Sequence, residues 1–192
     1  MSQRLPESYY LQSDVVFLAR DLIGKRLCTN IDGVFCSGLI SETEAYAGIE
    51  DKASHAYGGR YTDRTKTMYS IGGTSYVYLC YGVHQLFNVV TNIEGIPHAV
   101  LIRGIKPEQG IEHMLKRRKK ETERGLCDGP GKLSKAMGIG KAHNAISLLD
   151  DCIWIEEASI AIPDQAVEVG PRIGIDYAEE HKDLPYRFLW NY

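Results

Sequence analysis

Long hydrophobic runs, paired cysteines and a strong net charge are all missing from this 192-residue sequence. No stretch approaches the roughly 20 apolar residues that a membrane span needs, and the N-terminal residues lack the apolar run of a signal peptide. The 44% of hydrophobic and 24% of charged residues are an ordinary globular balance. We therefore expect an intracellular protein with no membrane partner, folded as a single domain over residues 1–192.

The number and spacing of the cysteines indicate whether disulfide bonds or a zinc site are to be expected. The five cysteines are Cys28, Cys36, Cys80, Cys127 and Cys152. Their number is odd and none belongs to a Cys-x-x-Cys pair, which argues against a disulfide framework and against a thiolate zinc site. His55 could be combined with Glu42 and Glu44 as metal ligands, but their spacing fits no ligand pattern. We expect neither a metal nor another cofactor.

The formal net charge of −3 argues, as an average, against a nucleic-acid partner. The charges are clustered, however. Three basic residues fall in one segment: Arg60, Arg64 and Lys66. Acidic residues collect at 150–151 and 179–180, so a basic face with an acidic back is compatible with DNA binding. The basic run at 116–120 is more typical of a solvated helix end favoured by the helix dipole.

Residues 39–48 combine two carboxylates with a tyrosine behind an apolar entry. Residues two apart share a face of a strand, so Glu42, Glu44 and Tyr46 would project together. A carboxylate beside a flat aromatic ring can activate water and also hold a planar substrate. Taken alone, the stretch also fits an edge strand whose glutamates face solvent, and this alternative stays open.

Local patterns predict helices and strands along the chain. Ser13 or Asp14 can cap a helix, and Asp32-Gly33 is a two-residue hairpin signal. Arg103 follows an apolar run, so we expect it at the end of a short strand near Glu44, against a carboxylate or a phosphate. The other expected elements are strands at 26–30, 34–40, 152–156, 172–176 and 188–190, helices opening at Pro107 and over 129–137, and a long irregular loop over 48–73.

Five features resemble, in their order, one enzyme family. They are Glu-Thr-Glu-Ala-Tyr at 42–46, His55, Tyr-Val-Tyr-x-x-Tyr-Gly at 76–82, Asn88 and Arg103. Together they make the chain similar to the alkyladenine (3-methyladenine) DNA glycosylases from about Asp14 to the C-terminus. No single feature is diagnostic, whereas the ordered set is highly specific. We expect an α+β fold, mostly an antiparallel curved sheet with flanking helices and a protruding β-hairpin.

The resemblance implies a role for each site residue. Glu44 would activate the water and Arg103 would orient both, with Glu42 as the second candidate for the base. The residues implied to line the base pocket are Tyr46, His55, Tyr78 and Asn88. Tyr81 would wedge into the gap left by a flipped nucleotide. The residues expected on the DNA backbone are Arg60, Arg64 and Lys66.

The pocket also restricts the register of the tyrosine-rich hairpin. A two-residue turn would put Asn88 on the face opposite Tyr78. A three-residue loop over 80–82, with its glycine at positive φ, would place Thr74 opposite Asn88 and restore a shared face. We therefore expect that loop, with Tyr81 at its exposed tip.

These roles imply a monofunctional DNA glycosylase that starts base excision repair. It would flip damaged purines of the 3-methyladenine, 7-methylguanine, hypoxanthine and ethenoadenine class out of double-stranded DNA and hydrolyse the N-glycosidic bond, acting as a monomer. Strand cleavage would need an amine nucleophile, for which Lys66 is the nearest candidate, but the family uses water only. Two other classes stay open: a hydrolase of free nucleosides, and a catalytically silent nucleic-acid binding module.

Overall fold

One antiparallel sheet organises the computed structural model, which describes residues 3–192. The strands found among these residues are β1 Arg26–Ile31, β2 Val34–Tyr46, β3 Ser75–Cys80, β4 His84–Thr91, β5 His98–Gln109, β6 Ile153–Glu156, β7 Val167–Gly170 and β8 Arg187–Trp190. Their order is β3-β4-β5-β2-β1-β6, and β8 pairs with both β2 and β7. This curled sheet confirms the predicted α+β class.

Four α-helices in the same described range flank the sheet. They are α1 Glu7–Tyr10, α2 Val15–Asp21, α3 Ile111–Arg118 and α4 Pro130–Met137. The Asp14 side chain accepts hydrogen bonds from two backbone N–H groups at the start of α2, which confirms the predicted cap. Measured over residues 3–192, every helix falls short of the length and apolar character that crossing a bilayer requires.

Strand β2 is the centre of the sheet. Along one edge it pairs first with β1 and then with β8, while β5 runs along its other edge. Glu44 is fully buried and Glu42 is 8% exposed. The interpretation of this stretch as an edge strand with solvated glutamates is therefore wrong, because hydrogen-bonded neighbours cover it on both sides.

The pairing of β2 with β5 is irregular on either side of Glu42. One shift in register leaves Ser41 of β2 without a residue opposite it, and the next leaves Arg103 of β5 without one. Such bulges bend a strand and re-aim the side chain of the extra residue. The expectation that Arg103 lies at a strand end is wrong, since it lies within β5, at a bulge.

The main hydrophobic core packs α2, α3 and α4 against the sheet. Thr43 and Ala45 of β2 face this core, and the Thr43 hydroxyl donates a hydrogen bond to the Ala19 carbonyl at 2.7 Å. The prediction that side chains two residues apart share one face of β2 is therefore confirmed. Its other face is left for the two glutamates and the tyrosine.

The hairpin of β3 and β4 has the predicted shared face but another register. Cys80 pairs with His84 and Tyr76 lies opposite Asn88, so the three-residue loop is 81–83 and not 80–82. The predicted pairing of Thr74 with Asn88 is thus wrong by two residues. The left-handed conformation of Tyr81, with φ 49°, starts the turn one residue later. A shift of two keeps every side chain on its face.

Two predicted elements are wrong. Pro107 does not open a helix: it lies in β5 opposite Gly38, beside an irregularity in the pairing where a missing N–H is tolerated. Residues 172–176 do not form a strand, because Gly174 has φ 76°, the Arg172 side chain bonds to Asp51 and the Ile173 backbone N–H bonds to Glu44. The loop over 48–73 is confirmed, and it contains the short 3₁₀ segments Gly48–Glu50, Tyr57–Gly59 and Lys66–Tyr69.

Gly110 makes the turn from β5 into α3 and should not tolerate a side chain. Its φ is 73°, and a Cβ atom there would lie 2.4 Å from the Phe35 carbonyl oxygen. We expect Gly110→Ala to lower the free energy of unfolding by about 1–3 kcal/mol. The matched control is Gly170→Ala, where a Cβ atom meets nothing within 4 Å. Urea titration of both variants measures the difference; equal stability would contradict the assignment.

Candidate active site

A cavity of about 760 Å³ opens where the hairpin, β2 and β5 meet the loop over 48–73. Six side chains of its lining concern the predicted base pocket and its neighbours: Tyr46, His55, Tyr76, Tyr78, Asn88 and Arg103. These six side chains come from four strands and one loop, and four of them are aromatic. The structure thus brings together all four residues predicted to line a base pocket, and it adds Tyr76, which was missed although it shares their face.

Glu44 lies directly behind this wall, with both carboxylate oxygens engaged. Oε2 accepts a hydrogen bond from the Tyr46 hydroxyl at 2.7 Å. Oε1 accepts one from the Ile173 backbone N–H at 2.8 Å and lies 3.3 Å from Nη1 of Arg103. The carboxylate is therefore held in one orientation by a phenol, an amide and a guanidinium group.

The electrostatic balance around Glu44 favours a proton acceptor. Burial raises the pKa of Glu44 above its ordinary value, and the charge of Arg103 and the hydrogen bonds from Ile173 and Tyr46 oppose that rise without cancelling it. Burial and the Glu44 charge raise the pKa of Tyr46 well above its usual range, so its hydroxyl stays protonated as a donor. A carboxylate with a raised pKa is the stronger base once it is ionised.

Arg103 is shared between the two glutamates. Its Nε donates to Oε1 of Glu42 at 3.0 Å, and the same oxygen accepts a hydrogen bond from Nε of Arg187 at 2.6 Å. Arg187 lies in β8, and the sequence analysis predicted no role for it. Within residues 3–192, no cluster of three or more His, Cys, Asp or Glu side chains is placed to hold a metal ion.

Three aromatic rings form one side of the cavity. The ring centres of His55 and Tyr78 lie 4.6 Å apart and those of Tyr76 and Tyr78 lie 5.2 Å apart. His55 Nδ1 and the Tyr76 hydroxyl are hydrogen-bonded at 2.9 Å. Burial, followed by the positive charges of Arg64 and Arg60, lowers the pKa of His55 to about 4, so this ring is neutral at pH 7.

Asn88 is fixed on the floor of the cavity between two strands. Its amide nitrogen donates to the backbone carbonyls of Tyr76 at 3.0 Å and Leu86 at 3.3 Å. The side chain is buried, and both donated bonds go to backbone groups of the hairpin. The amide group therefore has little freedom to move aside for a ligand atom.

The residues predicted to contact DNA fall in three places. Tyr81 is 87% exposed at the hairpin tip, and Arg64 lies at the cavity mouth. Arg60 lines a separate cavity of about 430 Å³ that shares His55 with the first. Lys66 lines neither cavity and pairs with Asp63 at 3.0 Å.

A buried ion pair between Asp51 and Arg172 supports the site and was missed in the sequence. Nη2 of Arg172 donates to Asp51 at 2.9 Å and Nη1 donates to the Ala45 carbonyl at 2.8 Å. The guanidinium carbon lies 4.9 Å from the ring centre of Tyr46. Because the next residue is Ile173, this pair holds the backbone N–H that bonds to Glu44.

Comparison with known proteins gives the family. A model of the methylpurine-DNA glycosylase family matches residues 9–192. A relative from Chlamydia felis is 49% identical over 189 residues, covering 97% of this chain and 96% of its own length. A relative from Clostridium perfringens is 43% identical over 194 residues, covering 96% of this chain and 94% of its own length. Both are named as candidate 3-methyladenine DNA glycosylases.

By class the chain is a DNA glycosylase, a hydrolase of DNA repair that acts on DNA. It belongs to the methylpurine-DNA glycosylase family. The resemblance read from the ordered motifs is thereby confirmed.

Replacing Asp51 should unfold the protein more easily. Asp51→Asn leaves the buried Arg172 charge unpaired, so we expect a loss of about 3–5 kcal/mol at pH 7 in denaturant titration. Burial alone would raise the pKa of Asp51, but its bonds to Arg172 bring that pKa below the ordinary value. The contribution of the ionised pair is present above the unfolded pKa and lost as the pH falls through the folded one.

The difference between parent and Asp51→Asn should therefore shrink as the pH is lowered from 7 towards the acid range. Asp63→Asn is the matched control, because the exposed pair of Asp63 with Lys66 should contribute little. A gap between parent and Asp51→Asn that grows on acidification would contradict the sign argued here.

Proposed function

We propose that this protein is a monofunctional DNA glycosylase that removes damaged purines from duplex DNA with a water molecule activated by Glu44. One observation carries the proposal: the buried carboxylate of Glu44, held by three polar partners, lies directly behind a cavity of about 760 Å³ whose lining includes several aromatic rings. That volume falls in the range of small-molecule pockets and accommodates a purine. The protein would act as a monomeric, single-domain enzyme without a cofactor.

The reaction is the hydrolysis of one bond. The water oxygen attacks the anomeric carbon while the bond from that carbon to the purine nitrogen breaks, and the purine leaves with the bonding electrons. Glu44 takes a proton from the water, and its charge faces the positive charge that develops on the sugar. Arg103, which contacts Glu44 and lines the cavity, would orient both. A cationic purine leaves as the neutral base, whereas a neutral lesion leaves as an anion that takes up one proton, which balances the proton passed from the water to Glu44. The other product is an abasic site.

The aromatic walls suit damaged purines. Tyr46, His55 and Tyr78 would stack around a flipped base, and a purine made cationic by alkylation would gain roughly 0.5–2 kcal/mol from electron-rich ring faces. Neutral lesions such as hypoxanthine and ethenoadenine are held by stacking alone. The restrained amide of Asn88 would collide with the exocyclic amine of normal guanine, which excludes that base by a clash.

Contact with the duplex is assigned to the hairpin tip and the basic loop. Tyr81 would enter the gap left by the flipped nucleotide, at a cost of a few kcal/mol of unstacking that phosphate contacts offset. Arg60, Arg64 and Lys66 would supply those contacts. Because Lys66 is paired with Asp63 outside the cavity, it is a poor candidate for an amine nucleophile, and we propose base excision without strand cleavage.

Replacing Glu44 by its neutral isostere should abolish the chemistry and spare binding. In single-turnover reactions with a duplex carrying one deoxyinosine or ethenoadenine, we expect Glu44→Gln to lower the rate of abasic-site formation by about 10²–10⁴-fold. Duplex affinity should change little, since the carboxylate is buried. Abasic sites are revealed by alkali; strand breaks without alkali would contradict the water mechanism.

Glu42→Gln is the matched control, because Glu42 shares Arg103 but does not bond to Tyr46 or Ile173. We expect a smaller loss of rate for this variant. A larger loss than for Glu44→Gln would exchange the roles of the two residues. Activity of the parent on free nucleosides, or duplex binding with no excision of inosine, ethenoadenine or methylated purines, would favour a nucleoside hydrolase or a silent binding module.

The wedge role predicts a variant that fails on duplex DNA only. Tyr81→Ala should lower excision from a duplex by about tenfold, given that stacking on one aromatic ring contributes roughly 1–3 kcal/mol. Excision from single-stranded DNA should be unchanged, because no stack has to be filled. Val83→Ala is the control: it lies in the same loop and is 73% exposed. Equal losses on both substrates would exclude the wedge.

A further inference from the structure

Arg64 differs from the other basic residues of its loop in the surface it occupies. Its guanidinium carbon lies 5.0 Å from the ring centre of Tyr78, and the side chain lines the mouth of the main cavity. Lys66 pairs with an aspartate, and Arg60 lines the other cavity. One cation of the loop is therefore placed against the aromatic wall on which a flipped base would stack.

The charge of Arg64 is not neutralised where it lies. No carboxylate in the described chain forms an ion pair with it, whereas Arg103 and Arg172, which lie deeper, are both paired. The charge of Arg64 acts on two neighbouring rings. Burial raises the pKa of Tyr76 to about 12, and Arg64 opposes that rise. Arg64 also contributes to the low pKa of His55.

Two other basic side chains line the cavity: Lys132 pairs with Asp128 at 2.9 Å, and Arg118 donates to the Leu126 carbonyl at 3.3 Å. Arg64 is thus an uncompensated positive charge that lies against the aromatic wall.

A base entering this cavity meets that charge. A neutral purine can stack against a guanidinium plane and a tyrosine ring alike. A purine made cationic by alkylation competes with Arg64 for the electron-rich face of Tyr78 and is also repelled by it. The aromatic walls and the arginine therefore act in opposite directions on a charged lesion.

We propose that Arg64 is a specificity-determining residue that disfavours cationic purines relative to neutral lesions. This inference rests on the proposed function. Two unit charges about 6 Å apart in a partly water-exposed setting change a rate or binding constant by about threefold to tenfold. Removing the Arg64 charge should raise the preference for a cationic base by that factor.

The experiment compares two lesions placed in the same duplex sequence, so that phosphate contacts cancel. Single-turnover excision rates are measured for 7-methylguanine, which is cationic, and for hypoxanthine, which is neutral. Arg64→Gln should raise the ratio of these rates about threefold to tenfold over the parent. Arg64→Lys, which keeps the charge, should give a ratio close to that of the parent.

Arg60→Gln is the matched control, since Arg60 lies in the same loop but not in the main cavity. It should lower both rates alike and leave their ratio unchanged. If Arg64→Gln also lowers both rates by one factor, Arg64 contacts phosphate only and the inference is wrong, while the proposed function stands. If the parent releases neither base, the proposed function fails and the inference fails with it.

Discussion

A carboxylate that must stay ionised inside a sheet needs compensation from every side, and this requirement explains most of the architecture. Burying an unpaired charge is costly, yet Glu44 is fully buried. Its neighbours are a guanidinium group from a bulge in β5, a phenol two residues along β2 and a backbone amide from a loop about 130 residues later. The guanidinium group depends on the bulge and the amide on the loop, whereas the phenol follows from the regular alternation of β2.

The charges of this interior balance as one network. Three carboxylates face three guanidinium groups: Glu42, Glu44 and Asp51, against Arg103, Arg172 and Arg187. Arg187 shares with Arg103 the neutralisation of the Glu42 carboxylate. The other side of the Arg103 guanidinium group contacts Glu44. Arg172 forms an ion pair with Asp51, and this pair holds the backbone N–H of the next residue, Ile173, against Glu44. The position of Glu44 is thus set by two ion pairs, Glu42 with Arg187 and Asp51 with Arg172, whose side chains do not line the cavity. Breaking either pair should perturb Glu44.

The sequence predicts the local features of this site better than its long-range ones. Alternation along β2 correctly places Glu44 with Tyr46, and the parity of the hairpin correctly places Tyr78 with Asn88 although the register is wrong by two. The bulge at Arg103 could not be predicted, because it depends on how two distant strands are paired. The partnership of Asp51 with Arg172 spans 121 residues and has no local pattern at either end.

The net charge of −3 looks unfavourable for a DNA enzyme only while it is treated as an average. Many of the negative charges are neutralised in ion pairs. Three carboxylates are bonded to arginines in the interior, and Glu179 and Glu180 share Lys52. The loop beside the cavity keeps Arg60 and Arg64 without carboxylate partners in the described chain. The local field at the cavity mouth is therefore positive, which attracts phosphate and, by the same physics, penalises a cationic base.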